Sequence, residues 1–476
     1  MSFKKLSTKF VLAVFFLLSG IEYGVIIPTL WPYLEELGAC HSFYGLTFSA
    51  YCMSGLVMAM LFGAISDKVR KTKPLVTLAI LCQVAGDVLY FIASSPEMVL
   101  GGRFLSGVGM GGGSVIYAML AWTSSENDRT SSFSLAIALR NIGIVVGPGL
   151  NILLLHIDFH LGPYHIHLNN VAGFLMASLW TFNLLLMPCF YFDPQVRRPD
   201  GRNVKKECPD LPRINGKVTC TIPRGSSASS DDEREPLISE SSDIQYRYKV
   251  KTSDSMQKDV SSLFYAFADQ YLRDEIVVLL AIQFVQFFNQ CGLESLVPPF
   301  AKDTFGWTIF HSSLLFMAAS IVTVAVYVIL MCIKSRVSDR SIVIIGLLLD
   351  ICGVALLVAF VPRMKPHHNV GVNTIIFVIG FGLAMTGFPA VLIATAGLLS
   401  KLTSMSWQGR TQGVRRVVTN IGMIMGPLWS GSLMDNLYIM LAAMLALLLY
   451  VSVLGGLSSK RLYEGGNHFR RNSFFT

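Results

Sequence analysis

The sequence predicts an all-α integral membrane protein whose twelve helices form two bundles of six. Of the 476 residues, 53% are hydrophobic and only 14% are charged, whereas soluble domains carry about 25% charged residues. Mean hydropathy is +0.54, and apolar runs of about 20 residues, enough to cross a hydrocarbon layer of about 30 Å, recur along the chain. One long polar stretch divides these runs into two sets of six.

Twelve apolar runs are predicted to be membrane helices, numbered here as spans 1 to 12. They lie at about 10–33, 43–65, 74–94, 98–122, 132–155, 171–192, 276–300, 312–333, 341–361, 372–398, 413–434 and 437–457. The first run contains a glutamate and is too long for a cleaved signal peptide, so we expect it to stay in the protein.

Positive charge predicts the orientation of these spans. If the N-terminus is cytosolic, most of the 38 lysines and arginines fall in cytosolic segments. The opposite face then carries only Lys302, Arg363 and Lys365. We therefore expect both termini in the cytosol. The net charge of +8 follows from this bias and implies no nucleic-acid partner.

Four regions follow from the distribution of polar residues. Residues 1–192 are predicted to form an N-terminal bundle of six helices, and 274–457 a C-terminal bundle of six. Between them, 193–273 is rich in Ser, Asp, Glu, Lys and Arg, which predicts a disordered cytosolic linker. Residues 458–476 form a basic cytosolic tail.

The two halves share short sequence matches. The run from Phe15 to Glu22 in span 1 matches the run from Phe287 to Glu294 in span 7, and both contain Phe-Phe and Gly-x-Glu. In spans 5 and 11, Asn-Ile-Gly-x-x-x-Gly-Pro occurs at 141–148 and again at 420–427. Duplicated bundles of six helices predict a cavity between the halves and a rocking motion around it.

A glycine and charged residues follow span 2. Gly63, Asp67, Arg70 and Lys71 form a pattern that resembles the loop 2–3 signature of the major facilitator superfamily. We expect Gly63 to let helices approach closely and Asp67 to accept hydrogen bonds at a helix end. In the family this cluster latches the halves together. The alternative is an ordinary basic stop-transfer loop.

Further motifs of the superfamily follow in order. Arg103-x-x-x-Gly107-x-Gly109 in span 4 and Gly143-x-x-x-Gly147-Pro148 in span 5 are similar to its signatures. Small residues allow close helix packing, and proline loosens a helix hydrogen bond. The predicted packing and bend residues are Gly107, Gly143, Gly147, Pro148, Gly422, Gly426 and Pro427. The resemblance covers almost the whole membrane portion and implies the major facilitator fold of a secondary transporter.

A narrower resemblance concerns one branch of that superfamily. The run 31–34 (Trp-Pro-Tyr-Leu), the run 129–132 (Arg-Thr-Ser-Ser) and Glu294 look like the lysosomal ceroid-lipofuscinosis type seven branch, the facilitator domain-containing protein eight group. This resemblance implies a lysosomal or late-endosomal membrane.

The linker contains a possible sorting signal. Glu233, Leu237 and Ile238 fit the acidic dileucine pattern that clathrin adaptors bind in extended cytosolic segments. We therefore predict a clathrin adaptor as a partner. The alternative is a solvated linker without this role.

Charged residues inside the spans are the candidate site. A charge at mid-bilayer costs about 3 kcal/mol, so such residues usually face a cavity or a partner. The resemblance implies that spans 1, 4, 7 and 10 line the cavity, which favours Glu22, Arg103 and Glu294. Asp87 and Asp350 lie on outer spans and are expected to be structural.

We predict Glu294 as the main proton site and Glu22 as the secondary one, both facing one cavity. The polar run before Glu294, with Gln286, Asn289 and Gln290, supports this order. The alternative is a static pair, either Glu22 with Arg140 or Glu294 with Arg103. Both arginines could bind an anion, since a guanidinium forms bidentate hydrogen bonds with carboxylate or phosphate.

The predicted function is proton-coupled secondary transport of a small solute, with a modest preference for an anion. An anion channel for chloride and a non-transporting sensor or interaction protein remain alternatives. Catalytic motifs such as GxSxG and HExxH are absent from the sequence, so we predict no enzyme, no cofactor and a monomer in the lipid bilayer. Histidines at 156–167 could bind zinc, but exposed loop residues are the preferred interpretation, and no metal is predicted.

Overall fold

The structure is a computed structural model. It describes residues 3–69, 72–123, 126–155, 157, 159–161, 164–166, 168–193, 273–333, 337–403 and 408–472. The predicted linker therefore lies outside the described residues, except at its two ends.

Within the described residues, the first half contains seven helices and a small hairpin. In chain order these are α1 (Phe3–Glu36), α2 (His41–Val69), α3 (Lys73–Phe91), α4 (Pro96–Met110), α5 (Gly112–Thr123), α6 (Glu126–Leu154), β1 (Phe159–Leu161), β2 (Tyr164–Ile166) and α7 (Val171–Phe190). The antiparallel pair β1–β2 lies where a loop was predicted, and pairs Phe159 with Ile166.

The second half contains six long helices. They are α8 (Asp274–Phe305), α9 (Ile309–Ile333), α10 (Asp339–Phe360), α11 (Val370–Leu402), α12 (Gln408–Ser432) and α13 (Leu437–Asn472), with 3₁₀ turns at Val361–Arg363 and Met434–Asn436. Helix α13 continues beyond the predicted end of span 12.

Ten helices in the described part are long and apolar enough to cross a membrane. The other two predicted spans, 4 and 11, are not among these ten helices. Span 4 is divided at Gly111 into α4 and α5, where glycines 111–113 provide no side chains to favour an unbroken helix. Span 11 is α12, which carries three arginines in its first nine residues. The all-α class is confirmed.

The same helix pairs pack in both halves. The first and fifth spans of each half are in contact, as α1 with α6 and α8 with α12. The third and fourth spans are also in contact in each half, as α3 with α4 and α10 with α11. This repetition of contacts agrees with the internal repeat found in the sequence.

Between the halves, α2 packs against α12 and α6 against α9, while α1 contacts α8. Large apolar side chains such as Leu185, Met331 and Leu348 are more than half exposed on the outside of the helices. Such surfaces are suited to lipid. Most of the polar side chains discussed below lie inside.

The helix ends define two sides of the protein. The terminal side is the side where α1 begins and α2 ends, and the distal side is the side of Glu36 and His41.

Candidate functional site

An acidic residue and an arginine form the centre of the first half. Glu22 of α1 is fully buried, and its Oε1 accepts a hydrogen bond from Nη1 of Arg103 at 3.0 Å. Its Oε2 accepts from Nε1 of Trp180 at 3.2 Å and from the amide of Gln83. Because Arg103 is only 4% exposed, the two charges offset each other away from solvent.

This arrangement differs from the predicted geometry. Glu22 and Glu294 were expected to face one cavity, but every hydrogen-bond partner of Glu22 in the described residues belongs to the first half. The static pairs proposed from sequence, Glu22 with Arg140 and Glu294 with Arg103, are also not formed. Instead, Arg103 pairs with Glu22.

Asp87 lies close to the same cluster. It is 1% exposed, and its Oδ1 accepts a hydrogen bond from Ser106 at 3.1 Å. Its Oδ2 has no hydrogen-bond partner among the described residues. The position of Asp87 in the bundle interior agrees with the structural role expected for it.

Glu294 occupies a different environment, at the boundary between the halves. Its Oε2 accepts a hydrogen bond of 2.7 Å from the hydroxyl of Tyr23, which belongs to α1. Its Oε1 accepts a bond of the same length from Gln290, one turn earlier on α8. The carboxyl group thus joins the two halves through neutral donors, and no described cation forms an ion pair with it.

Arg140 lies near this contact. Its guanidinium carbon is 6.0 Å from the centre of the Tyr23 ring, and it interacts electrostatically with Glu294. No salt bridge of Arg140 is found within the described part of the chain. On the terminal side, Arg416 of α12 stacks over Tyr117 of α5 at 5.4 Å, so a second arginine contacts the opposite half.

A small space lies beside Tyr23. It has room for about one water-sized particle and is lined by apolar residues of α1 together with Tyr23, Phe48, Tyr51 and Arg103. The guanidinium of Arg103 lies over the Tyr51 ring at 4.3 Å. This space therefore combines aromatic faces with one edge of a guanidinium, which is suited to a solute with an anionic group.

The other predicted polar residues of α8 contact two different parts of the protein. Gln290 contacts Glu294, as described above. Gln286 and Asn289 instead point into the second half, where Gln286 donates to Asp350 at 2.7 Å and Asn289 donates to the carbonyl of Met444 at 3.4 Å. They are therefore not part of the contact between the halves.

The motif glycines lie at close helix contacts. A Cβ atom at Gly143 or Gly147 would approach the backbone of Ile21 to 2.7 Å, and one at Gly422 would approach the carbonyl of Phe284 to 2.7 Å. Added Cβ atoms at Gly107 and Gly426 would meet the carbonyls of Tyr51 and Phe288. Pro148 and Pro427 lie inside α6 and α12.

The loop 2–3 motif is only partly described. A Cβ at Gly63 would meet nothing nearer than Ser114 Oγ at 3.9 Å, an ordinary contact. The expectation that Gly63 permits an especially close approach is therefore wrong, because the facing helix is not tight there. The side chain of Asp67, together with Arg70 and Lys71, lies outside the described residues, as do Glu233, Leu237 and Ile238 of the sorting signal.

Contacts between the halves concentrate on the distal side. Lys302 forms an ion pair with Glu35 at 2.5 Å, and His41 lies 3.9 Å from Asp303. Beside them, a Cβ at Gly45 would collide with the carbonyl of Pro427. The halves are therefore tightly apposed at this end.

Sequence reasoning missed several members of these clusters. Tyr23, Gln83 and Trp180 were not singled out, although each is a polar or amphipathic residue inside a span. Buried tyrosine and tryptophan usually find a hydrogen-bond partner, so this property was the available signal. Among the described residues, no group of His, Cys, Asp and Glu is placed to hold a metal ion. The 156–167 histidines fall largely outside that part of the chain.

Comparison with known proteins identifies the family. The model of the Major Facilitator Superfamily matches residues 12–427, so the chain belongs to that superfamily of membrane transporters. It is a multi-pass membrane protein, from a family of transporters that is non-enzymatic in general.

Individual relatives are distant. The quinolone resistance protein NorA of Staphylococcus aureus (strain MRSA252) is 23% identical over 211 residues, covering 44% of this chain and 50% of NorA. The major facilitator superfamily domain-containing protein 8 of Xenopus laevis is 27% identical over 177 residues, covering 36% of this chain and 33% of that protein. The matches thus span at most half the length of these relatives.

Solved structures share the fold over nearly the full length. A bacterial homologue of the human lysosomal transporter Spinster, in an inward-facing and occupied conformation, has a TM-score of 0.67 at 13% identity, covering 98% of this chain and 99% of that one. A D-xylose–proton symporter has a TM-score of 0.65 at 11% identity, covering 94% and 97%.

Proposed function

We propose that the chain transports a small anionic solute by alternating access and couples this transport to protons through Glu294. The observation that carries the proposal is the hydrogen bond from Tyr23 to Glu294, which connects the two halves through a carboxyl group without a contacting cation. Membrane carboxyl groups in such positions commonly serve as proton relays.

The coupling follows from what a proton changes at this contact. The ionised carboxylate accepts hydrogen bonds from Tyr23 and Gln290. A proton on Glu294 removes the charge and weakens both bonds, because hydrogen bonds to an ionised acceptor are about twice as strong as neutral ones. Protonation therefore loosens a contact between the halves and favours their separation at this level. Glu22 cannot act in the same way while Arg103 neutralises it.

An anionic solute is supported by the arginines. Arg103 borders the space beside Tyr23, and Arg140 lies near the same tyrosine. A solute carboxylate or phosphate at this site would gain charge-assisted hydrogen bonds from a guanidinium. The aromatic faces of Tyr23, Phe48 and Tyr51 would contact its apolar part.

The conformation is proposed to be closed on the distal side. The Lys302–Glu35 pair and the approach of Gly45 to α12 hold the halves together there. Positive-charge bias predicts that the terminal side is cytosolic. The structure would then represent the state with its lumenal side closed, and transport requires these distal contacts to separate.

We further propose a lysosomal or late-endosomal membrane with both termini in the cytosol. The local likeness to the Xenopus laevis protein and the dileucine pattern at Glu233, Leu237 and Ile238 support this location. Replacing Leu237 and Ile238 by alanine should move a fluorescently tagged chain to the cell surface, whereas L211A in the same linker should not. Lysosomal retention of the double variant would contradict adaptor binding.

The transport proposal is tested in two steps. Metabolite profiling of lysosomes isolated with and without the protein identifies a solute that accumulates, and proteoliposomes then measure its flux. Saturable flux with counterflow is expected, whereas conductance steps without saturation would show a channel. No solute flux of any kind would show a non-transporting protein.

The proton coupling is tested with Glu294→Gln in the same proteoliposomes. We expect solute-driven proton movement, followed with an enclosed pH-sensitive dye, to fall to background while counterflow of the solute persists. Glu275→Gln, at the start of the same helix, is the matched control and should keep both activities. An unchanged pH profile in Glu294→Gln would remove this residue from coupling.

A further inference from the structure

A second polar space lies inside the C-terminal half and borders the contact between the halves at Gln290. It is small and lies between α8, α10, α11 and α13. Four polar side chains line it, namely Gln286, Asn289 and Gln290 of α8 and Asp350 of α10. We call this space the amide pocket, and the remaining lining residues are apolar.

Asp350 brings an acidic side chain into the amide pocket. It is 4% exposed, and its Oδ2 accepts one hydrogen bond, from Gln286 at 2.7 Å. No cation pairs with it within the described ranges, and no other charged side chain acts on it electrostatically. A buried carboxylate with a single neutral donor is costly unless a positive charge joins it.

Asn289 provides an independent observation. It is 5% exposed, and its Nδ2 donates to the carbonyl of Met444 at 3.4 Å. Its Oδ1 has no hydrogen-bond partner among the described residues. A buried amide oxygen without a partner is destabilising, so this oxygen is expected to have a ligand. Asn289 lines the same pocket as Asp350.

We propose that the amide pocket binds one sodium ion. A carboxylate and amide carbonyl oxygens are hard ligands, which suit a hard cation rather than a soft metal. The single charge of Asp350 balances a monovalent ion, whereas a divalent ion would leave an excess charge inside the membrane. Asn289 and Asp350 are the assigned ligands, and Gln286 and Gln290 line the same pocket.

The space accommodates such an ion. A sodium ion is no larger than a water molecule, and the amide pocket has room for about one particle of that size. Gly387 of α11 leaves room for the carboxylate of Asp350, because a Cβ there would collide with its Oδ1. Binding at this site does not depend on the transport mechanism proposed above.

Equilibrium binding of radioactive sodium to the purified full-length chain tests the proposal, in choline chloride of constant ionic strength. We expect saturable binding of one ion per chain. D350N and N289A should each weaken this binding at least tenfold. D87N is the matched control, because Asp87 is also a buried acid on the third span of its half, and should retain the affinity of the wild type.

The N289A variant keeps the charge of Asp350, so its loss of affinity would assign the amide oxygen as a ligand. N289A also remains decisive if D350N aggregates on size-exclusion chromatography. The proposal is overturned if the wild type shows no saturable sodium binding or if N289A binds as tightly as the wild type. Stabilisation of the chain by acid alone, with no effect of sodium, would show that Asp350 holds a proton instead.

Discussion

The two halves of this protein share their helix pairs but differ in how they hold buried acids. In the first half, Glu22 is paired with Arg103 and also bonded to Trp180. In the second half, its repeat counterpart Glu294 has only neutral donors, and one of them, Tyr23, comes from the opposite half. The two halves thus have the same helix contacts, but Glu22 is paired with a cation and Glu294 is not.

The difference has a simple origin in the fourth span of each half. Arg103 stands inside α4, but the corresponding helix α11 has no basic residue until Lys401 at its end. Without a cation, Asp350 and Glu294 are left with amide and phenol partners. A charge that is not paired inside the protein is free to be balanced by a mobile ion or proton.

The largest effect is expected when the Glu22–Arg103 ion pair of the first half is broken. R103A leaves Glu22 buried without its counter-charge, which costs about 3–5 kcal/mol. We expect poor yield and a strongly lowered melting temperature in detergent. The double variant E22L/R103M, which removes both charges, should recover stability close to that of the wild type. A stable R103A protein would show that the first half does not depend on the Glu22–Arg103 ion pair.

The second effect concerns the contact between the halves. Y23F removes a hydrogen bond to an ionised acceptor, which is worth about 1.5–3 kcal/mol. Because Tyr23 stabilises the ionised form of Glu294, its loss should move the pH of half-maximal transport upward by about 1–2 pH units. Y450F, at a lipid-exposed tyrosine, serves as the control and should leave the profile unchanged. A downward shift in Y23F would reverse the assigned role.

The third effect concerns the distal contact of α2 with α12. G45A adds a Cβ that meets the carbonyl of Pro427, and overpacking of this kind costs about 1–3 kcal/mol. We expect slower transport, with the distal side opening more readily to a thiol reagent at an introduced cysteine. A Cβ at Gly382 has open space around it, so G382A should behave as the wild type. Equal rates in both variants would rule out a tight distal closure.

The smallest effect is expected at the distal ion pair. The side chains of Lys302 and Glu35 are 41% and 37% exposed, and such pairs contribute about 0–1 kcal/mol. K302A should therefore change the melting temperature little and should shift the distal side modestly toward the open state. A double-mutant cycle with E35A measures the coupling, which should decline with added salt. A coupling energy far above this range would show that this ion pair holds the distal side closed.

Much of the fold could be predicted from the sequence, and the reasons are local. Apolar runs are long enough to cross a bilayer, and they gave twelve spans that coincide with the helices, except that Gly111 divides span 4. The repeated Gly-x-x-x-Gly-Pro motifs marked the close contacts of α1 with α6 and α8 with α12. Glycine contacts are predictable because only a missing side chain allows two helix backbones to approach so closely.

The site was less predictable, as the acids show. The sequence identified Glu22, Arg103 and Glu294 as the charges that matter, because any charge in lipid needs a partner. It paired them wrongly, and it grouped Gln286 and Asn289 with Glu294, whereas they contact Asp350 and Met444. In a helix that is apolar on all sides, hydrophobic periodicity does not reveal which face points inward.

The sequence by itself determined the membrane class, the approximate positions of the helices, the internal repeat and the residues that carry charge into the bilayer. Each of these depends on composition or on spacing along one helix. The tertiary structure decided which charge meets which partner. Glu22 and Arg103 are 81 residues apart, and Tyr23 and Glu294 are 271 apart. Such contacts depend on the rotation and depth of each helix against its neighbours, which are set by packing across the whole fold.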